Sequence, residues 1–303
     1  MVTRIATAFQ NQSTLRTLQQ ANEGLDLSTY QVTTGLKARS LSEIPSDANQ
    51  LLNLRDVKTK TATYLNNVVS AKNQLNASEA ALQQLTDLLA DASSTATLAR
   101  NENSPQTRAT LVPKAQSLAE SFYTIFKSQY NGTHLFSGSN GAQPPIAGSA
   151  TATAFPGSPP PTTYYQGDST LPTVVTGPGT TLQYGVLGND PTFAQLKAGL
   201  EALWFGLQTN NTAEMDNAIA TLNTAKAGLS TLLGQVGGQL NTAQLVEDRQ
   251  TSQQQFLTTQ LDDIEKVDVS EAITKFSQQQ ATLQASMSII ARVNQLSLLD
   301  FLR

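Results

Sequence analysis

The sequence predicts a mainly α protein: a long antiparallel helical bundle, or coiled-coil rod, built from the N- and C-terminal segments, with a small β-hairpin-rich insertion mid-chain. Three observations carry this. Two rows of apolar or small residues recur every seven positions across some 50 residues after Asp47. A second long periodic stretch lies near the C-terminus, with Ala218, Leu222, Ala225, Leu229, Leu232, Val236, Leu240 and Ala243 on one face. Between them, from Ser139 to Asp190, prolines and glycines recur and there is no Lys or Arg.

The first segment, Thr3 to Thr34, has apolar positions at a period near 3.6, and Gly35 is placed as a C-terminal stop. After a short loop, Ser46 and Asp47 offer N-cap oxygens. The next helix carries Leu54, Thr61, Val68, Leu75, Leu82, Leu89 and Ala96 in one row. Val57, Tyr64, Ala71, Ser78, Leu85, Ala92 and Ala99 form the companion row, three residues on. A seam this narrow implies a rod of roughly 75 to 80 Å. Ser104 before Pro105 restarts a helix that is expected to run to about Tyr130, with Leu118, Phe122, Ile125 and Phe126 on its apolar face.

Short β-prone runs are expected at His134–Ser137, Thr162–Gln166, Leu171–Thr176 and Thr180–Val186. Helix resumes at Asp190-Pro191, pauses at Asn210-Asn211, and continues to about Lys266. Asn211 with Glu214, and Asp268 with Glu271, read as capping boxes. The expected organisation is a discontinuous terminal-helix assembly domain (1–46 and 267–303), a discontinuous helical core (47–138 and 190–266) and the insertion (139–189).

Composition excludes several function classes. Only 14% of residues are charged and the net charge is -4, so no basic surplus exists to neutralise nucleic-acid phosphates. There is no cysteine, hence no disulfide framework or thiolate site. The N-terminal stretch has no continuous apolar core of the signal-peptide kind, and no run approaches the length of a membrane span. His134 is the sole histidine, and no nucleophile elbow accompanies it. Asp262, Asp263 and Glu265 read as a solvated or contact face rather than catalytic carboxylates, so the chain is not expected to be an enzyme and no catalytic, cofactor or metal site is assigned. Asn131-Gly-Thr133 matches the short N-glycosylation pattern. Tyr164 and Tyr165 either stack on sugar or pack on the core as strand residues.

The candidate assembly seam consists of Ile5, Leu15, Leu18, Leu25 and Val32 in the first helix, and Ile273, Phe276, Leu283, Ile290, Val293, Leu296 and Leu299 in the last. Ordering two terminal segments of ~35 residues costs on the order of 100 kcal/mol in conformational entropy. One two-helix seam recovers this poorly, so the seam is expected to be buried between copies of the chain.

Four stretches resemble the bacterial flagellin and hook-associated protein family. Leu27–Leu36 (LSTYQVTTGL) is similar to the family's segment before the turn into its core domain. Asn131–Gly138 (NGTHLFSG) resembles its G-x-Y-L-F-x-G stretch, Tyr165–Asp168 (YQGD) its Y-x-G-D, and Ala281–Leu302 its C-terminal signature. Within the family, LFSGS…PPI and LSLLDFL fit the hook-associated, hook–filament junction branch better than the filament branch. Ile44–Gln50 departs from the D-D-A-A-G type turn of filament flagellins.

The resemblance implies a structural flagellar subunit that serves motility, leaves the cell by type III export and joins hook to filament by polymerising through its terminal helices. The implied partners are copies of itself, other axial proteins (hook-associated proteins and flagellin) and an export chaperone at the C-terminal helix, with an extracellular location on the flagellum. A filament flagellin of the same architecture is the alternative. A surface adhesin that binds glycan through Tyr164 and Tyr165 is the alternative of another class.

Overall fold

The computed structural model describes the backbone of residues 2–301 and the side chains of residues 12–292. The chain forms seven α-helices and four short strands among these residues: α1 Val2–Thr34, α2 Ala48–Asn101, α3 Pro105–Ala109, α4 Val112–Phe126, β1 Gln129–Tyr130, β2 Thr133–His134, β3 Thr173–Gly177, β4 Thr180–Gln183, α5 Pro191–Thr209, α6 Thr212–Glu265 and α7 Val269–Phe301. Long helices that pack on one another dominate, with two small antiparallel sheets mid-chain, as the sequence predicts. They are distributed over two compact units, one of Met1–Lys60 with Gln253–Arg303 and one of Thr61–Ser252.

In the first unit α1 ends where the sequence places its stop. Gly35 takes a positive φ of 72°, and its N–H donates to Gln31 O at 2.9 Å. That left-handed residue turns the chain so that Leu36 pairs with Lys266 in an antiparallel bridge. Lys37 N–H donates to Glu265 O (2.7 Å) and Val267 N–H to Gly35 O (2.9 Å), which holds the end of α1 beside the start of α7. Asp268 caps α7, its Oδ1 accepting from Ser270 N–H and Glu271 N–H. The reciprocal half of that capping box is absent: Glu271 pairs with Lys275 at 2.7 Å instead.

In the second unit the heptad rows of α2 are the core. Val68, Ala71, Leu75, Ser78, Leu82, Leu85, Ala92, Ala96 and Ala99 are all fully buried. The face read for α6 behaves likewise, with Ala218, Leu222, Ala225, Leu229, Leu232, Val236 and Ala243 buried. Lys72 and Glu247 form an ion pair across the two helices. An aromatic cluster fills the space among α4, α5 and the mid-chain loops: Phe126 lies 5.4 Å from Phe136 and 5.0 Å from Phe193, centroid to centroid.

Further local expectations need correction, among them the strand expected at His134–Ser137, of which only His134 is in a strand. The helix expected from Pro105 to Tyr130 is two helices, broken at Thr110–Leu111, and it stops at Phe126. Residues 129–134 instead make a hairpin around Asn131 (φ 49°) and Gly132 (φ 78°), a left-handed pair suited to a two-residue turn. Thr162–Gln166 is not a strand; only Tyr165 bridges, to Ile146. Around Asn211, one half of the expected capping box forms, with Asn211 Oδ1 accepting from Ala213 N–H, whereas Glu214 turns away and accepts from Phe155 N–H at 2.9 Å.

Candidate assembly surface

Helices α1 and α7 pack against each other in the first unit. The fully buried residues of the pair are small. In α1 only Ala21 and Ser28 are buried among the described side chains, and in α7 only Ala272 is. Between Ala21 and Ser28 lies Gly24, where an added Cβ would meet the Gln279 side chain at 3.1 Å. Small residues let the two backbones approach closely, and the seven-residue step from Ala21 to Ser28 keeps them on one face.

The large apolar residues sit elsewhere. Leu15 is 60% exposed and Ile273 49%, while Leu18, Leu25, Val32, Phe276, Leu283 and Ile290 are half-buried. Met287 and Ile289, which the sequence reading did not single out, are also exposed. The side chains of Ile5, Val293, Leu296 and Leu299 lie outside the described residues. In this pair the fully buried positions are thus small residues, and the large apolar residues stay partly or largely open.

In the second unit the two short family-like motifs interlock. Gly138 takes a φ of 70°, and a Cβ there would lie 2.5 Å from Asp168 Oδ1. Gly167 is equally constrained: its Cβ would fall 2.4 Å from the Tyr165 hydroxyl and 2.6 Å from Ser137 O. Asp168 accepts from Ser139 N–H (3.1 Å), from the Ser139 hydroxyl and from Thr170 N–H (2.8 Å). These bonds, the Ser139 hydroxyl foremost, hold its carboxyl below the usual aspartate range. The backbone closes the joint, with Asp168 N–H donating to Ser137 O and Ser139 N–H to Thr170 O. Gly188 completes it, donating to Phe136 O where a Cβ would strike Phe126. The motifs are therefore one tertiary clasp around the end of α4. Its signal in the sequence is the run of glycines beside aromatics, each at a close approach.

The other singled-out residues have structural partners. His134 is buried; with the proton on Nδ1 it donates to Lys127 O (2.9 Å) and Nε2 accepts from the Gln129 amide (2.8 Å). Asp262 pairs with Lys266, Glu265 with Arg55, and Asp263 O accepts from Lys37 Nζ. Tyr164 donates to Gly188 O and packs on Phe126, and Tyr165 donates to Asp168 O. Burial, and then the nearby Asp168 charge, push the Tyr165 phenol up to about 12. Burial raises Tyr164 as well. Both rings are thus committed to the core side of the insertion.

Sequence reasoning missed Glu201, a buried carboxylate on α5. It accepts from the Tyr123 hydroxyl (2.9 Å), the Thr153 hydroxyl (3.0 Å) and Lys197 Nζ (2.7 Å). Among the described residues no three His, Cys, Asp or Glu side chains gather in a metal-binding group. No described helix is long and apolar enough to cross a membrane.

The family model for the bacterial flagellin N-terminal helical region matches residues 5–141, and that for the bacterial flagellin C-terminal helical region matches residues 212–302. No curated protein matches the chain at a significant level. Among solved structures, a putative flagellar hook-associated protein from Vibrio parahaemolyticus superposes with a TM-score of 0.60 at 20% identity, over 74% of this chain and 100% of that one. FlgL of Bacillus cereus gives 0.55 at 14% identity, over 69% and 99%. Flagellar hook-associated protein 3 of Legionella pneumophila gives 0.55 at 12%, over 70% and 98%. At such identities the structural likeness speaks for the fold, and the two family models, which together span most of the chain, speak for descent. The chain belongs to the bacterial flagellin family and is a structural component of the flagellum.

Proposed function

We propose that this chain is the hook–filament junction subunit, which polymerises through α1 and α7 after export to the cell exterior. The observation that carries the reading is the division of labour on the terminal pair. Ala21, Ser28 and Ala272 are buried and Gly24 lies against Gln279, whereas Leu15, Ile273, Met287 and Ile289 stay exposed. Ordering a residue costs about 1–2 kcal/mol, while burying a methyl-sized side chain returns only ~1 kcal/mol or less. Neighbouring axial subunits that cover the exposed residues supply the missing burial. The neighbours proposed are other copies, a second hook-associated protein and flagellin, with an export chaperone shielding α7 beforehand.

The junction, rather than the filament, is favoured by the LFSGS…PPI and LSLLDFL stretches. The fold likeness to proteins described as hook-associated points the same way. Counting subunits per flagellum by quantitative mass spectrometry of sheared, purified flagella tests it. A ring's worth of copies, confined to the base of the filament by immunogold labelling, is the expected result. Filament-scale numbers along the whole length would identify the chain as a filament flagellin instead.

A further inference from the structure

The glycines that lie inside helices divide by what surrounds them. Gly24, Gly199, Gly206 and Gly228 each stand where another part of the chain comes close. An added Cβ would lie 3.1 Å from the Gln279 side chain, 2.9 Å from Leu222 Cδ2, 3.1 Å from Glu214 Cβ and 2.3 Å from Thr192 Oγ1, respectively. Gly234, Gly237 and Gly238 of α6 differ: a Cβ at any of them would meet nothing within 4 Å, and none takes a positive φ. Neither packing within the chain nor backbone conformation calls for glycine there, and alanine fits all three positions.

What the three share is their effect on the helix. Glycine has more backbone freedom to lose than alanine and leaves its peptide groups open to water, so each makes α6 about fivefold easier to open (~1 kcal/mol). Gathered within Gly234–Gly238 of a 54-residue helix, their effects multiply to about a hundredfold at one place. The Thr242 hydroxyl adds to this by donating to Gly238 O at 3.0 Å, in competition with the helical N–H. The inner side of the same stretch is held. Val236 is fully buried, and Gln239 accepts from Gly185 N–H at 2.8 Å while donating to Gly185 O at 3.2 Å. Gly234 and Gly238 are exposed, so the loosened backbone is the solvent-facing one.

We infer that α6 carries a built-in flexible joint at Gly234–Gly238, where its solvent-side hydrogen bonds open and the helix bends while Val236 stays in the core. The joint is a property of the single chain and does not depend on how the subunit assembles.

Hydrogen–deuterium exchange of the purified full chain, read by mass spectrometry and corrected for intrinsic rates, tests it. Protection in peptides covering residues 233–242 is expected to be about a hundredfold lower than in peptides covering 221–232 and 243–252. Combining Gly234→Ala, Gly237→Ala and Gly238→Ala is expected to remove that difference and to raise the urea midpoint. Should the half-buried position 237 keep the triple variant from folding, Gly234→Ala with Gly238→Ala decides in its place, with about a twenty-five-fold slowing expected. Equal protection along all three stretches of the parent overturns the inference; the open space over the glycines would then be left for a neighbouring copy's helix. Exchange in 233–242 that is unchanged by the alanines overturns it as well.

Discussion

Gly138 lies so close to Asp168 that a Cβ added to it would sit 2.5 Å from the carboxylate Oδ1 and 2.6 Å from the backbone oxygen. Gly138 also holds a φ of 70°, a conformation that L side chains rarely adopt. Either condition alone disfavours alanine. Together they predict that Gly138→Ala destabilises the second unit by about 2–3 kcal/mol, through left-handed strain plus a displaced clasp. Chemical denaturation followed by far-UV circular dichroism measures this, and an unchanged midpoint contradicts it.

Asp168 gives the clasp a pH dependence of known sign. Its carboxyl is held below the ordinary value of 3.8 by the Ser139 hydroxyl, then the Thr170 and Ser139 N–H groups. A depressed folded-state value means that the stabilisation is complete above the unfolded value and is lost as pH falls through the folded one. Asp168→Asn is therefore less stable than the parent at neutral pH, and the difference shrinks below about pH 4. Thermal melts of both proteins at stepped pH test this. A gap that stays constant into acid would mean that the charge on Asp168 contributes nothing to the clasp.

The clasp also shows where the sequence was legible and where it was not. The α2 rows were readable because a seven-residue repeat is local: Leu75, Leu82 and Leu89 announce one face whatever they pack on, and all three are buried. The glycine stop at Gly35 and the Asp190-Pro191 start were readable for the same reason; Asp190 Oδ1 accepts from Thr192 N–H at 2.8 Å. The pairing of Gly138 with Asp168 is different. It joins residues 30 positions apart, and the contact that bars a Cβ at Gly138 exists only because the segment around Asp168 arrives there. The end of α4 failed for a related reason, since helical propensity through Gln129 was overridden by a hairpin that buries His134. In the terminal pair the eye falls on leucines, yet the buried positions of α1 are Ala21 and Ser28, and Gly24 between them lies against Gln279, a closeness that matters only once a second helix is present.

Glu201 is 3% exposed, and its two oxygens serve Tyr123, Thr153 and Lys197. Glu201→Ala strands the Tyr123 hydroxyl in the core and leaves Lys197 without its partner. Lys197 keeps some access to water, so the expected loss is about 2–3 kcal/mol rather than the full penalty of a buried orphan charge. Urea unfolding reads it out. A loss below ~0.5 kcal/mol, typical of a surface substitution, would show that water replaces the carboxylate without penalty.

The free chain is expected to lose both terminal helices to protease before its centre. Among described side chains α1 buries only Ala21 and Ser28 and α7 only Ala272, whereas α2 from Val68 to Ala99 and α6 from Met215 to Val236 bury a residue at nearly every turn. Opening the terminal pair therefore takes far less free energy than opening the second unit. Brief digestion followed by mass spectrometry should show early cuts within residues 12–34 and 269–292 and a resistant fragment of about residues 47–266. Cuts that appear at equal rates across the chain would sink the distinction.

Assembly is expected to depend on the half-buried apolar residues of α7 in a way that folding of the second unit does not. Leu283 and Ile290 are seven residues apart on one face, and the internal contact leaves each partly open. Replacing both with Asp places two carboxylates where a neighbouring subunit would have to bury them, and each unpaired buried charge costs several kcal/mol. A subunit interface tolerates no such penalty, so incorporation into flagella should fail. Melting of the second unit should stay within about 0.5 kcal/mol of the parent, because α7 belongs to the other unit. The double variant, expressed in a strain that lacks the parent gene, should still reach the culture medium while swarming is lost and no subunit copurifies with flagella. Normal swarming with the variant built into flagella would show that this face of α7 is not where copies meet.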